Sequence, residues 1–262
     1  MEIGRMKQIV DLFMFMGQSN MAGRGITSEQ WPQSAPELIE GAGYEFRAIS
    51  DSSMLYPIQE PFGVNENNPE GITEQSKTGS LVTAFVNAYY IETGIPIVGV
   101  SAAKGGSKIS EWQPGSPYLV DALQRMEAAV QFLDSHDYTI RHKFMLWCQG
   151  ESDGDIGKSM DTYQLEFERM LNNMLEYGIE TCYMIQIGNY NGTGTQDYTQ
   201  IQKTQVKIAR ENKNVVLVST EFAGMKERGL MKDDFHYYQA AYNEVGTNAG
   251  RRTAFDVMRH NK

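Results

Sequence analysis

The hydrophobic positions of this chain fall into short runs that stop abruptly at small or polar residues. The first run covers residues 9–16, is interrupted only by Asp11, and ends at Gly17. A run of this length without polar alternation is typical of a strand buried on both faces of a parallel sheet. Four later runs have the same character, and we predict further strands over residues 95–100, 143–148, 182–187 and 215–218.

Segments with helical spacing of apolar residues separate these runs. We predict helices over residues 80–92, 118–133, 161–177, 197–212 and 238–258. Strands that alternate with helices build βαβ units, so the chain is predicted to be an α/β protein with a five-stranded parallel sheet. Helices on both faces of the sheet give a three-layer α/β/α sandwich of flavodoxin-like type, for which we expect the strand order 2-1-3-4-5.

One long stretch, residues 24–78, shows neither the strand period nor the helix period and carries five single prolines. Loops of this length are usually functional or disordered. Its aromatic residues, Trp31 among them, favour an ordered loop that covers the site. We find no linker, repeat or low-complexity tract, and therefore predict a single domain over residues 1–262.

Composition narrows the class of protein. The 262 residues are 41% hydrophobic, which suffices for a core, and the net charge of −10 argues against a nucleic-acid-binding surface. The two cysteines, Cys148 and Cys182, lie inside apolar runs, and we predict buried free thiols and no metal or cofactor site. No run is long enough to span a membrane and no signal peptide is visible, so we expect a cytoplasmic protein. The sequence gives no prediction of oligomeric state.

Small and polar residues follow each predicted strand. Because the carboxyl ends of parallel strands share one edge of the sheet, we expect these residues to meet there, as ligand sites do in open α/β sheets. Ser19 follows the first strand and is our candidate nucleophile; the alternative is an ordinary turn serine or helix N-cap. The other positions brought to this edge are Gly105, Gly106, Gln149, Glu151, Asn189, Asp233 and His236.

A serine hydroxyl needs a general base, and the base needs a group that orients it. Of the four histidines, only His236 lies in a loop that follows a predicted strand. Asp233 precedes it by three residues and is suitably spaced to hold one ring nitrogen, although Asp234 is also adjacent. An acidic helix N-terminus is the other interpretation of this pair of aspartates.

An acyl-transfer intermediate also needs preset hydrogen-bond donors for its oxyanion. The candidates at the same edge are the backbone amide of Ser19, a backbone amide at Gly105 or Gly106, and the side-chain amide of Gln149. Glycines at a strand end allow close backbone approach, but they are also ordinary turn residues.

Four blocks of sequence together resemble a known family. They are residues 17–21 (GQSNM), residues 105–112 (GGSKISEW), residues 149–153 (QGESD), and Asp233 with His236 and a downstream Gly246. In this order, and spread over nearly the whole chain, they are similar to the sialate O-acetylesterase and carbohydrate esterase family 6 branch of the SGNH hydrolases. The family usually has threonine where this chain has Ser107.

The resemblance implies an enzyme that removes acetyl groups from sugars without a metal. It implies that Ser19 is the nucleophile, His236 the base and Asp233 the orienting acid, with Asp234 and Glu151 as alternative acids. For Glu151 we favour the role of a buried carboxylate that braces the loops of the site. The implied oxyanion donors are the amides of Ser19 and Gly105, with Gly106 as the alternative to Gly105, and the side chain of Gln149. The residues that we predict to bind substrate are Gln18, Asn20, Trp112 and Glu151, and a core position is an equally good interpretation of Trp112.

The expected substrate is a small acetylated carbohydrate: acetylated xylan fragments, other oligosaccharides or O-acetylated sialic acid. Alternatives are an inactive protein of the same fold that binds carbohydrate and an esterase for small non-sugar esters. An α/β-hydrolase is disfavoured because position 21 is Met rather than Gly in the serine motif. A nucleotide-binding module is disfavoured because no phosphate-binding glycine motif is present.

Overall fold

A single twisted sheet, flanked by helices on both faces, forms the centre of the computed structural model, which describes residues 7–260. The strands are β1 (Gln8–Gly17), β2 (Gly43–Arg47), β3 (Asp51–Pro57), β4 (Ile97–Ala103), β5 (Tyr138–Cys148), β6 (Thr181–Ile185) and β7 (Val215–Ser219). The helices are α1 (Ser19–Ala22), α2 (Val82–Thr93), α3 (Pro117–Ser135), α4 (Glu151–Asp155), α5 (Met160–Glu176), α6 (Thr199–Glu211) and α7 (Gln239–His260).

The strand order is β3-β2-β4-β1-β5-β6-β7. The five predicted strands are β4, β1, β5, β6 and β7, all parallel to their neighbours, and their order confirms the predicted 2-1-3-4-5. The predicted number of strands was wrong, since the sheet has seven. The fold class, a three-layer α/β/α sandwich, is the predicted one.

The two additional strands form an antiparallel hairpin inside residues 24–78. Strand β2 pairs in parallel with β4, which places β3 at the edge of the sheet. Most side chains of β3 are at least partly exposed. The side chains of an edge strand that is not buried on both faces do not have to be apolar. For this reason the hydrophobic pattern did not predict β3.

The central strand β1 supplies both halves of the core. Leu12, Met14 and Met16 point into the layer that contains helices α3, α5 and α6. Phe13 and Phe15 point to the other face, where helices α2 and α7 pack. Alternate side chains of a strand point to opposite faces, so a strand between two helical layers must be apolar throughout.

Asp11, the one charged residue in this run, lies at the amino-terminal half of the sheet and has no exposed surface. Arg141 donates to it through Nε at 3.0 Å and Nη2 at 2.5 Å, and the Tyr89 hydroxyl donates at 2.5 Å. A buried carboxylate needs such partners, because without them its desolvation would cost several kcal/mol, on the order of the penalty for a buried ion. The ion pair therefore explains the polar interruption.

Two further sequence predictions concern cysteines and membranes. Cys148 and Cys182 are buried free thiols, as predicted. Among residues 7–260, we find no helix that combines the length and the apolar character required to cross a bilayer.

Candidate active site

The nucleophile candidate is positioned by a glycine at the end of strand β1. Gly17 has φ = +139°, and a Cβ atom there would lie 2.0 Å from the carbonyl oxygen of Cys148 on strand β5. Only glycine allows this close approach of the two backbones. The chain then turns, the Gln18 amide donates to the Cys148 carbonyl at 2.9 Å, and Ser19 begins helix α1.

Ser19 meets a histidine from the far end of the chain. The Ser19 Oγ atom lies 2.9 Å from Nε2 of His236, in the segment between strand β7 and helix α7. Nδ1 of His236 lies 3.0 Å from each carboxylate oxygen of Asp233. Because a carboxylate can only accept, Nδ1 carries the proton and Nε2 of the neutral ring accepts from the serine hydroxyl.

Asp233 also shapes the loop that carries the base. Its Oδ1 accepts from the backbone amides of Phe235 at 2.9 Å and His236 at 2.8 Å. Burial alone would raise the pKa of this carboxyl, but the amides and the imidazole outweigh burial and lower it. Asp233 is therefore ionised at neutral pH.

The pKa of His236 is lowered from its ordinary value, mainly because burial disfavours the imidazolium, while Asp233 acts in the opposite direction. The ring is thus largely neutral near pH 7 and can accept a proton from Ser19. The predicted trio of Ser19, His236 and Asp233 comes together with the geometry of a nucleophile, its base and an orienting acid.

The two alternative acids have different surroundings. Asp234 accepts a long hydrogen bond of 3.4 Å from the Tyr190 hydroxyl, and within residues 7–260 it makes no hydrogen bond to the imidazole. Glu151 is 3% exposed, and its Oε1 accepts from Asn20 Nδ2 at 2.6 Å. Burial raises the pKa of Glu151 to about 7. The geometry thus places Asp233, and neither alternative, on the base.

The buried side chain of Asn20 makes hydrogen bonds to residues of three other segments at the site. Besides Glu151, its Nδ2 donates to the carbonyl of Phe235 at 3.1 Å, and its Oδ1 accepts from the Tyr242 hydroxyl at 2.6 Å. It has no exposed surface. The predicted contact with substrate is therefore corrected: Asn20 ties the loop of His236 to the α4 segment.

Gln18 and Trp112 also had predicted roles in substrate binding. Gln18 borders the cavity beside Ser19, and its Oε1 accepts from the amides of Gly150 at 3.1 Å and Ser152 at 3.3 Å. Trp112 has no exposed surface and packs in the core against Trp147, with ring centroids 5.5 Å apart. A sugar ring cannot stack on it, so the prediction for Trp112 is corrected.

The predicted oxyanion donors are only partly available. The amide of Gly105 already donates to Oε2 of Glu74 at 2.5 Å. Gln149 is fully buried, and its Nε2 donates to the Ser107 carbonyl at 3.0 Å and to Asp153 Oδ2 at 2.5 Å. Both predictions are corrected, because buried carboxylates occupy these donors.

Two backbone amides fit the role better. Ser19 is the first residue of helix α1, so its amide has no partner within the helix. Gly106 borders the same cavity, and no hydrogen bond of its amide occurs within residues 7–260. Both amides are thus available as donors for an oxyanion at this cavity.

The cavity at this site has a volume of about 380 Å³. Besides the predicted residues, its wall contains side chains for which no role was predicted: Arg24, Glu74, Ser76, Lys104, Ser152, Asp155 and Phe235. Three of these come from residues 24–78, so this stretch does contribute to the site. A separate groove of about 490 Å³ runs along helix α6, but Ser19 and His236 do not border it.

Comparison with known protein families gives a match over most of the chain. Residues 9–254 match the family described as "Carbohydrate esterase, sialic acid-specific acetylesterase". The chain belongs to this carbohydrate esterase family. It is therefore a carboxylic ester hydrolase, as predicted from the sequence motifs.

The individual relatives share only low sequence identity with this chain. A probable carbohydrate esterase of Arabidopsis thaliana is 26% identical over 256 residues, covering 90% of this chain and 86% of that protein. The X-ray structure from the same Arabidopsis locus has a TM-score of 0.70 at 23% identity and covers 95% of this chain and 98% of that one.

Two other solved structures share the fold at low identity. The crystal structure of NanS has a TM-score of 0.65 at 12% identity, with 98% of this chain and 99% of that one covered. The carbohydrate acetylesterase XAC1771 from Xanthomonas citri has a TM-score of 0.59 at 15% identity, with 94% and 57% covered.

Proposed function

We propose that this carbohydrate esterase removes O-acetyl groups from sugars through a covalent acetyl-enzyme on Ser19. The observation that carries the proposal is the continuous contact from Ser19 Oγ to His236 Nε2 and from Nδ1 to Asp233. A hydroxyl, an imidazole and a carboxylate in this order are the parts that serine-dependent acyl transfer requires.

In the first half-reaction, Ser19 Oγ attacks the acetyl carbonyl carbon while His236 Nε2 takes the hydroxyl proton. The tetrahedral intermediate collapses, the bond to the sugar oxygen breaks, and the imidazolium gives its proton to that oxygen. In the second half-reaction, water loses a proton to His236 and attacks the acetyl carbon. Acetate leaves, and Ser19 regains its proton.

The character of the cavity supports a sugar as the alcohol. Arg24, Lys104 and Asp155 present charged groups in its wall, and Phe235 is its single aromatic lining residue. Hydroxyl-rich ligands suit such a polar wall, whereas a long acyl chain would need an apolar channel. We infer that the substrate is an acetylated carbohydrate, and we include O-acetylated sialic acid because of the family description.

The direct test is acetate release from acetylated xylan oligosaccharides, acetylated hexoses and O-acetylated sialic acid. Wild type and Ser19→Ala are measured together, with Ser152→Ala as a matched control, because Ser152 borders the same cavity without touching His236. We expect Ser19→Ala to lose at least about 10³-fold in rate. Sugar binding without hydrolysis by the wild type would show instead an inactive binding protein, and hydrolysis confined to non-sugar esters would contradict the substrate class.

A further inference from the structure

The tight turn that follows strand β4 borders the same cavity as the candidate nucleophile Ser19. It spans residues 104–107 and is closed by the Ser107 amide, which donates to the Lys104 carbonyl at 3.3 Å. The Ser107 hydroxyl donates to the same carbonyl at 2.7 Å. Gly106, at the third position, has φ = +71°, the left-handed conformation that favours glycine. The turn therefore has a defined shape.

One backbone amide of this turn is engaged. Glu74 Oε2 accepts from the Gly105 amide at 2.5 Å, and a Cβ atom at Gly105 would lie 2.3 Å from that oxygen. A donor that already serves a carboxylate cannot serve an oxyanion, and two negative charges on one amide repel each other. Gly105 is therefore unsuited to receive the developing charge.

The next amide is held in a fixed direction by a cation. Lys104 Nζ donates to the Gly105 carbonyl at 3.0 Å. In a planar trans peptide, the N–H of the following residue points away from the carbonyl oxygen. By fixing the Gly105 carbonyl, Lys104 thus fixes the direction of the Gly106 N–H.

Glu74 is itself anchored to the segment that carries the nucleophile. Its Oε1 accepts from Arg24 Nη2 at 2.7 Å and from the Ser76 amide at 3.1 Å. Arg24 Nη1 also donates to the carbonyl of Gly23, which directly follows helix α1. Burial acts to raise the pKa of Glu74, but Arg24 and the backbone amides outweigh it, so the carboxylate stays charged. A chain of contacts thereby connects α1 to the glycine turn.

From these contacts we propose that Glu74 and Lys104 are positioning residues that hold this turn, so that the Gly106 amide, the alternative donor that the family resemblance implies, binds the oxyanion together with the Ser19 amide. Neither side chain needs to touch the reacting atoms. Each fixes one peptide group of the turn, from opposite ends of the Gly105 residue. This inference rests on the proposed function, since it assigns donors for the intermediate on Ser19.

The experiment compares Glu74→Ala, Glu74→Gln and Lys104→Met with the wild type, using 4-nitrophenyl acetate. Because losing an oxyanion donor costs about 10²–10³-fold in kcat, we expect a displaced donor to cost roughly 10- to 100-fold in Glu74→Ala. KM should stay within about threefold, since ground-state binding is not changed. Glu74→Gln should recover most of kcat, because its amide oxygen still accepts from Gly105. Matched controls are Glu70→Ala and Lys203→Met, which remove exposed charges.

A phosphonate that forms a tetrahedral adduct on Ser19 gives a second readout. Its anionic oxygen needs the same donors, so the rate of inactivation should fall in parallel with kcat in Glu74→Ala and Lys104→Met. A purely structural role for Glu74 would instead lower the midpoint of thermal unfolding and leave both rates of the folded fraction unchanged.

An unchanged or higher kcat in Glu74→Ala would overturn the inference, because it would mean that the freed Gly105 amide serves as the donor. If Glu74→Ala does not fold, Lys104→Met decides by the same two rates. If the wild type neither hydrolyses the ester nor reacts with the phosphonate at Ser19, the proposed function itself is wrong. If it does both and the variants match it, only the positioning role is wrong.

Discussion

The pair of adjacent aspartates before the base allows a sharp test of the triad. We predict that Asp233→Asn lowers kcat/KM strongly, because the new side chain has no charge to stabilise the imidazolium of His236. Asp233 Oδ1 accepts from two backbone amides, so the new amide oxygen should keep that place. Its NH₂ group then faces Nδ1 and favours the tautomer with a proton on Nε2, which cannot accept from Ser19.

The expected loss of kcat/KM follows from how strongly solvent screens the charges of Asp233 and protonated His236. Two unit charges 4 Å apart interact by about 1 kcal/mol in water and about 4 kcal/mol at an effective dielectric constant of 20. The Asp233 side chain is 43% exposed, so solvent screens the pair and the lower half of this range applies. About 2 kcal/mol corresponds to roughly 30-fold in rate, and the tautomer preference brings the expected loss to about 10²-fold.

The assay is kcat/KM for 4-nitrophenyl acetate between pH 5 and 9. Asp234→Asn is the matched control and should stay within about threefold, because Asp234 contacts Tyr190 rather than the imidazole. In Asp233→Asn the acid limb of the pH profile should also move to lower pH, since Asp233 raises the pKa of His236. A larger loss in Asp234→Asn, or a limb that moves to higher pH, would refute the assignment.

Three further predictions concern pH and stability. In the wild type, kcat/KM should rise with pH to a plateau with its midpoint below about 6.5, because burial lowers the pKa of His236; a flat profile would contradict this base. Gly17→Ala should lower the free energy of unfolding by more than about 3 kcal/mol, because a Cβ there would collide with the carbonyl of strand β5. Gly157→Ala, with positive φ but open space, should cost only about 1 kcal/mol in the same urea titration. Arg141→Met should cost about 3–5 kcal/mol by leaving Asp11 buried without its cation. Adding Asp11→Asn to this variant should recover part of the loss. If the effects of the two single variants simply add in the double variant, the pair is not coupled.

Much of the fold was accessible from the hydrophobic pattern because the parallel strands are covered on both faces. Where both faces are covered, such a strand must be largely apolar, and each of these strands ends at a small or polar residue, so both the strand and its site-forming end leave a signal. The same rule placed Ser19 and His236 at one edge from opposite ends of the chain. The β2–β3 hairpin left no comparable signal, because an exposed edge strand can be polar.

The hydrogen-bond donors and the substrate-contacting residues of the site could be predicted less well, for a different reason. Gly105 and Gln149 carry suitable hydrogen-bond donors, but a sequence motif does not show which tertiary partners these donors have. In the structure, Glu74 and Asp153 compete for them, and both carboxylates are positioned by tertiary contacts rather than by a local pattern. Trp112 shows the same limit, because an aromatic residue beside a motif has no sequence mark that distinguishes a core position from a sugar platform.

The 2.9 Å contact between Ser19 and His236 joins positions 217 residues apart. A ribosome must therefore synthesise the chain past His236 before this contact can form. Nascent chains and products of premature termination that end before the imidazole retain the hydroxyl but have no means to activate it. The candidate pair therefore forms only in chains that have been synthesised past His236.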